Sequence, residues 1–258
     1  MEKRVLCLNN QDARQRYLAR MLMEDETPVV LCEEFCPNLG KYDVVLLPVV
    51  LKDLDLGEIA DQLREGQRVF GGGFPEEFQN ACMEKRVRCY DYMKEEAIAL
   101  KNGVATAEGA IAQAITLGDQ NLHNNHSLVI GYGRCGSILA DRLRGMGSHV
   151  SVLEENEERR ARAQVCGFRT IQSSREISAG EYSYLFNTVP AQILGKTCLK
   201  ELKTDIVIID IASGKGGVDY DYCREKGIRA KHCLGLPGKY APKTSAEILY
   251  EYIRKKCR

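Results

Sequence analysis

Gly131, Gly133 and Gly136 stand in the run Gly-Tyr-Gly-Arg-Cys-Gly, directly after the apolar stretch Leu128-Val129-Ile130. Glycines at this spacing serve one kind of chemistry, the holding of a pyrophosphate. The first permits a tight turn, the second lets backbone approach the phosphates, and the third lets a helix sit close to a strand. The helix that follows offers unpaired N–H groups and a positive dipole end to the anion. Three glycines alone are a weak signal, so their surroundings decide. Here a strand precedes them, residues 138–146 read as a helix, and a second strand over residues 149–153 ends in Glu154-Glu155. Strand, turn, helix, strand and acid in that order predict a nicotinamide dinucleotide site. Gly131, Tyr132, Gly133, Arg134, Cys135 and Gly136 form its turn. Glu154, or Glu155 in its place, would accept hydrogen bonds from the adenosine ribose and repel a 2′-phosphate. The cofactor expected is therefore NAD or NADP, with NAD favoured by Glu154. Arg159 and Arg160 could rescue a phosphate, although a solvated helix face accounts for them more simply.

The substrate end of such a site lies at the carboxyl ends of the later strands. Residues 184–191 read as a strand ending in a polar turn that carries Asn187, Thr188, Val189 and Pro190, and Ala212 and Ser213 follow a strand at residues 206–209. We expect all six to touch the cofactor. No catalytic group identifies itself. The candidates are Arg14, Thr106, Glu108, Ser213, Lys215, His232 and Lys243, with Gln15 and Lys239 beside them. Arg14 would clamp a carboxylate from the first turn of a helix after a strand. Glu108 would complement the dipole at the start of a helix. His232 could accept a proton, but a structural histidine is the plainer reading. Gly235 to Lys239 reads as a third turn. His123 and His126 lie in an Asn-rich link with no Cys or acid nearby, and no metal site is expected. The cysteines number 11 with no Cys-x-x-Cys pair. They read as reduced, buried, small hydrophobes, Cys7, Cys166 and Cys198 among them.

The elements that must position these residues alternate along the chain. Strands are expected at residues 5–8, 44–47, 69–70 and 87–90, helices at 12–23 and 56–63, and a loop at the glycines 71–73. A further helix spans 106–117, with Ala110, Ile111, Ala114 and Ile115 on one face. A second alternating series runs from Leu128 to a strand at 228–231, and a final helix covers 244–256. Strands alternating with helices imply parallel sheets with crossover connections. The fold class expected is α/β, with two Rossmann-like three-layer domains and a cleft between them. The boundary falls at residues 101–105, giving a substrate domain at 1–102 and a dinucleotide domain at 103–258 whose last helix could return to the first domain. The 258 residues suffice for both. Lys and Arg number 36, as do Asp and Glu, so nothing suggests a nucleic-acid partner held by bulk charge. No apolar run reaches the roughly 18–20 residues of a membrane span, and no signal peptide opens the chain, so a cytoplasmic protein is expected.

Five stretches together resemble the family of the dipicolinate synthase A-subunit. They are Asp12-Ala13-Arg14-Gln15, residues 106–111, residues 186–191, residues 210–217, and Gly235-Leu236-Pro237-Gly238 with Ala241-Pro242-Lys243-Thr244. Tyr42 to Pro48 adds to the likeness. It is dense from Thr106 onward and thinner before. None of these motifs is specific alone, but their order and spacing are. The resemblance implies NAD(P)-linked oxidation of a dihydrodipicolinate-type precursor to pyridine-2,6-dicarboxylate in the mother cell of a spore-former. It implies a small dicarboxylate substrate and a flavoprotein-like second subunit, and leaves room for a homo-oligomer. Two other readings stay open. A 2-hydroxy acid dehydrogenase would need a His paired with an acid, and only His232 could serve. A silent NAD(H)-sensing protein is compatible with the Asn9-Asn10-Gln11 turn after the first strand.

Overall fold

In a computed structural model the described residues are 4–8, 12–32, 38–52, 54–178 and 180–257. The turn at residues 9–11 lies outside them. The chain divides into two compact units, Met1–Asn102 with Ala241–Arg258, and Gly103–Tyr240.

The first unit holds a parallel sheet of β1 (Val5–Leu8), β2 (Val29–Cys32), β3 (Val44–Leu46), β4 (Arg68–Gly71) and β5 (Arg88–Asp91) in the order β2-β1-β3-β4-β5. A fully buried parallel strand shows apolar residues on both faces. Val5 and Cys7 of β1 accordingly meet one apolar layer, and Leu6 and Leu8 the other. On the first face lie α1 (Ala13–Glu24), through Leu18, Ala19 and Leu22, and α10 (Pro242–Cys257), through Ala246, Leu249 and Ile253. On the second lie α2 (Leu56–Gln62), through Ile59, and α3 (Glu76–Glu84), through Phe78 and Cys82. Asp12 caps α1 by accepting from the Arg14 amide at 2.9 Å. Such a cap contributes about 1 kcal/mol.

The second unit carries β6 (His126–Ile130), β7 (His149–Leu153), β8 (Arg169–Ile171), β9 (Tyr184–Asn187), β10 (Val207–Asp210) and β11 (Arg229–His232). Their order, β11-β10-β9-β6-β7-β8, is all parallel and reverses direction at β6. Ligands bind at such a switch point, outside the carboxyl ends of the strands. One face of the sheet is covered by α4 (Glu96–Leu117) and α5 (Arg134–Gly145), where Ala107, Ala110, Ala114 and Leu139 are fully buried. The other packs on α7 (Lys196–Leu199) and α8 (Tyr220–Lys226). The remaining helices are α6 (Glu157–Val165) and α9 (Leu236–Tyr240). Among the described residues no helix is long and apolar enough to cross a membrane.

The structure corrects several expectations. Helix α4 starts at Glu96, ten positions before Thr106, because nothing in Glu-Ala-Ile-Ala-Leu-Lys breaks a helix and Gly103 is tolerated where its missing side chain lets Ile138 approach. Glu108 is therefore mid-helix, and the dipole role fails. Ile115 points away from the apolar face and is 53% exposed. Gly71 ends β4 instead of opening a loop. The stretch after Gly235 is the helix α9, not an open turn. The short strands β2 and β8 are additional to those expected; β8 carries little apolar signal, whereas β2 is an apolar run, Val29-Val30-Leu31-Cys32, missing from the expected strands and only half-buried at the sheet edge. Cys166 is exposed, whereas Cys7 is buried and Cys198 partly so; the described cysteines are all free.

Candidate functional site: the turn after β6

The glycine turn is built by three different constraints. Gly131 has φ +90°, a left-handed value that L side chains avoid, and a Cβ there would lie 2.6 Å from Thr188 Oγ1. Gly136 has an ordinary backbone, but a Cβ would stand 2.0 Å from the Gly131 carbonyl oxygen. That proximity lets α5 begin directly over the turn. Gly133 is the N-cap of α5, with φ −81°, and a Cβ on it would meet nothing within 4 Å. Folding alone does not require glycine at 133. The open space over its backbone, at the N-terminus of a twelve-residue helix, is a cradle fit for a pyrophosphate.

Neighbouring strands fix the turn. Gly131 N–H donates to Leu153 O at 2.7 Å, and Thr188 donates to Ile130 O through both N–H, at 3.0 Å, and hydroxyl, at 2.9 Å. Tyr132 is buried with its ring edge-on to Phe168, and burial with the Cys166 thiol pushes its phenol up to about 12. Cys135 is partly buried, and desolvation raises its thiol. Arg134 is exposed at the first position of α5.

Glu154 is 5% exposed, and its two oxygens are committed to four donors. Oε2 accepts from Tyr132 N at 2.8 Å and Arg159 Nε at 3.0 Å; Oε1 accepts from Asn156 N at 2.9 Å and Arg159 Nη2 at 3.0 Å. Burial works against the charge, but Arg159 and the two backbone amides outweigh it and hold the carboxyl below its usual range. A carboxylate has about four acceptor positions, so this one is saturated. The sequence suggests Glu154 as a bare carboxylate facing the ribose. It is instead half of an ion pair whose guanidinium is about half exposed. Glu155 is exposed, and its carbonyl accepts from Arg160 at 3.0 Å.

Ends of β9, β10 and β11 are tied by a residue that the sequence pattern does not single out. Asp210 is fully buried. Its Oδ1 accepts from Asn187 Nδ2 and Ala212 N, both at 2.9 Å, and its Oδ2 from Gly217 N at 2.6 Å and Tyr220 hydroxyl at 2.7 Å. Burial and the bond to Asp210 raise the Tyr220 phenol. Asn187, also fully buried, donates to Val189 O at 3.0 Å and accepts from Val189 N at 3.2 Å. Its role visible here is to shape the turn that includes Thr188, Val189 and exposed Pro190. The sequence does carry a signal for Asp210, an acid set between Ile209 and Ile211. His232 Nε2 donates to Ala212 O at 2.8 Å and the ring stacks on Tyr220; among the described residues no carboxylate bonds to it. Ser213 and Lys215 are exposed on the loop beyond. His232 and Lys239 also line a cavity of about 400 Å³ with Gln113, Lys231, Cys233, Leu236 and Tyr240.

Arg14 and Lys243 belong to the other unit. Arg14 is 8% exposed and forks onto Asp12, with Nη2 2.8 Å from Oδ2 and Nε 3.0 Å from Oδ1. Gln15 does not face outward as expected. It is buried and donates to Leu46 O at 3.2 Å, holding α1 to β3. Lys243 is exposed in the first turn of α10. Thr106 is half-buried and Glu108 exposed, both inside α4.

A glycine turn opening a helix after the first strand of a reversing parallel sheet, with a second α/β unit in the same chain, defines a two-unit Rossmann-like α/β protein with a nucleotide-binding type of domain. Comparisons agree. Residues 127–175 match the TrkA-N domain. The chain is 30% identical over 190 residues to the dipicolinate synthase A-subunit of Bacillus subtilis (strain 168), a match spanning 72% of this chain and 63% of that protein. The crystal structure of the dipicolinate synthase A-subunit from Bacillus halodurans superposes with a TM-score of 0.87 at 25% identity, covering 99% of this chain and 97% of that one. Salmonella D-lactate dehydrogenase shares the fold, with a TM-score of 0.78 at 13% identity over 99% of this chain and 96% of its own. In sequence and in fold the chain is similar to the dipicolinate synthase A-subunit, and it spans under two thirds of the length of the curated relative it matches.

Proposed function

We propose that this chain is an NAD(P)-linked oxidoreductase that converts a dihydrodipicolinate-type precursor to pyridine-2,6-dicarboxylate during sporulation, working with a flavoprotein-like second subunit in the cytoplasm of the mother cell. The observation that carries the reading is the cradle over Gly133 in a chain similar to the dipicolinate synthase A-subunit. The nicotinamide, when bound, supplies the hydride acceptor. The turn at 131–136 and the N-terminus of α5 hold the phosphates, and Thr188, Val189, Pro190, Ala212 and Ser213 border the reactive end. Asn187 and Asp210 keep those two loops in place. Loss of a hydride and a proton from a dihydropyridine ring gives an aromatic product, so positioning matters more than a strong base. Lys243, exposed in the first turn of α10, binds a substrate carboxylate, a charged hydrogen bond contributing about 1.5–3 kcal/mol, whereas the Arg14 guanidinium is already engaged by Asp12.

The 2-hydroxy acid reading is disfavoured by His232. Alcohol oxidation needs an imidazole oriented by an acid, and this ring is oriented through Nε2 by a backbone carbonyl, with no carboxylate bonded to it among the described residues. The deciding assay supplies the aldehyde–pyruvate condensation product, NAD or NADP, and the cognate second subunit, and follows the ultraviolet absorbance of the aromatic product. Reduction of cofactor by simple 2-hydroxy acids without that product would refute the proposal. Tight NADH binding with no turnover of either substrate would leave a cofactor-sensing protein in its place.

A further inference from the structure

Two histidines 23 positions apart in sequence meet at the amino ends of two neighbouring strands. His126 opens β6 and His149 opens β7, and the two are direct partners in the parallel register. Their ring centroids are 5.0 Å apart with planes inclined by 31°. Both side chains are exposed. We propose that this pair is a chelating site for a divalent transition ion of the imidazole-preferring class, Ni²⁺, Cu²⁺ or Zn²⁺.

Geometry supports it. A metal–imidazole nitrogen bond is about 2.0–2.1 Å, which puts the ring centre about 3.2 Å from the ion. Two such rings about 90–110° apart around one ion have centres about 4.5–5.2 Å apart. The observed spacing falls inside that interval. The backbone beneath is fixed independently of any ion. Ser127 and Ser148, the residues beside the two histidines, share a buried hydroxyl–hydroxyl bond of 2.8 Å. His149 N–H and the Ser148 hydroxyl both donate to Asn125 O at 2.9 Å, and His126 O accepts from Ser183 N at 3.0 Å. The rings are thus presented on a rigid edge, with only side-chain torsions to be fixed on binding.

Sequence spacing pairs His126 with His123. In the fold His123 lies over Gly147, its Nδ1 2.3 Å from where a Cβ on that glycine would be. Among the described residues no group of three or more His, Cys, Asp or Glu surrounds a common point, so water completes the coordination. The site is therefore an exchangeable one. It sits at the end of the sheet opposite the glycine turn, a strand length of about 13–17 Å away. An ion here ties β6 to β7 and is read out in stability, independently of the proposed reaction.

Tag-free full-length protein is titrated calorimetrically with NiCl₂, beside His126→Gln, His149→Gln and the double variant. Thermal unfolding is followed with Ni²⁺ and after addition of EDTA. Exposed cysteines contribute equally to all four proteins, so the difference between them isolates the pair. The expected result is one Ni²⁺ site per chain that weakens at least tenfold in each single variant, with no further loss in the double variant. Ni²⁺ raises the melting temperature of the unsubstituted protein only, reversibly with EDTA. Equal Ni²⁺ binding by the unsubstituted chain and His149→Gln, or an unchanged melting temperature, overturns the proposal.

Discussion

Replacing Gly133 by valine separates cofactor binding from folding. The backbone there is extended, with φ −81° and ψ −159°, outside the left-handed region that side chains avoid, and a Cβ would meet no protein atom within 4 Å. The folding cost is confined to a poor N-cap, about 1 kcal/mol. If the pyrophosphate lies over this residue, the branched side chain takes its place. Loss of two charged hydrogen bonds at about 1.5–3 kcal/mol each amounts to at least about 3 kcal/mol, or roughly a hundredfold in dissociation constant. Gly136→Ala is the counterpart. Its Cβ would stand 2.0 Å from the Gly131 carbonyl oxygen, so α5 must shift by more than 1 Å. That is overpacking against backbone and should cost about 1–3 kcal/mol in stability. Calorimetric titration with NADH and with NADPH, run beside thermal melts, measures both effects. Gly133→Val should melt near the parent and bind neither dinucleotide well, whereas Gly136→Ala should melt early. Unchanged affinity in a folded Gly133→Val protein would refute the placement of the phosphates.

Glu154→Gln retains only part of the four-donor arrangement and should destabilise the second unit by about 2 kcal/mol at neutral pH. Because the folded carboxyl lies below its usual range, its contribution is present above about pH 4.3 and is lost as pH falls through the lowered folded value, so melts of parent and variant should converge in acid. Asp210→Ala leaves the buried Ala212 and Gly217 amides without an acceptor, at about 1–3 kcal/mol each, with hydrogen exchange at those amides quickening first. Lys243→Ala should raise the Michaelis constant with little change in kcat, since a carboxylate clamp acts alike on ground and transition states; a fall in kcat alone would contradict the clamp.

Local pattern carried much of the architecture. Apolar runs such as Val5–Leu8 and Leu128-Val129-Ile130, flanked by helical patterns, read as buried strands, and Gly131, Gly133 and Gly136 fix turn, cradle and helix start within six residues, where chain proximity alone enforces the geometry. The family likeness was legible for the same reason, being a set of ordered short stretches. Boundaries were less so. The start of α4 carries no breaker or cap to mark it, and the half-buried edge strands β2 and β8 show no strong period.

What only the tertiary structure decided concerns partners. The sequence put a carboxylate at position 154 but could not tell that Arg159 and two backbone amides saturate it, which turns an exposed charge into one side of an ion pair. It offered Gln15 to a ligand, and the fold spends that side chain on Leu46. It ranked His232 by its neighbours in the chain, and the partner is Ala212, twenty residues earlier. It paired His126 with His123, and the sheet pairs it with His149. Hydrogen bonds and ion pairs act over about 3 Å, and only the register of a parallel sheet, set by crossovers tens of residues long, determines which distant side chains come within that reach.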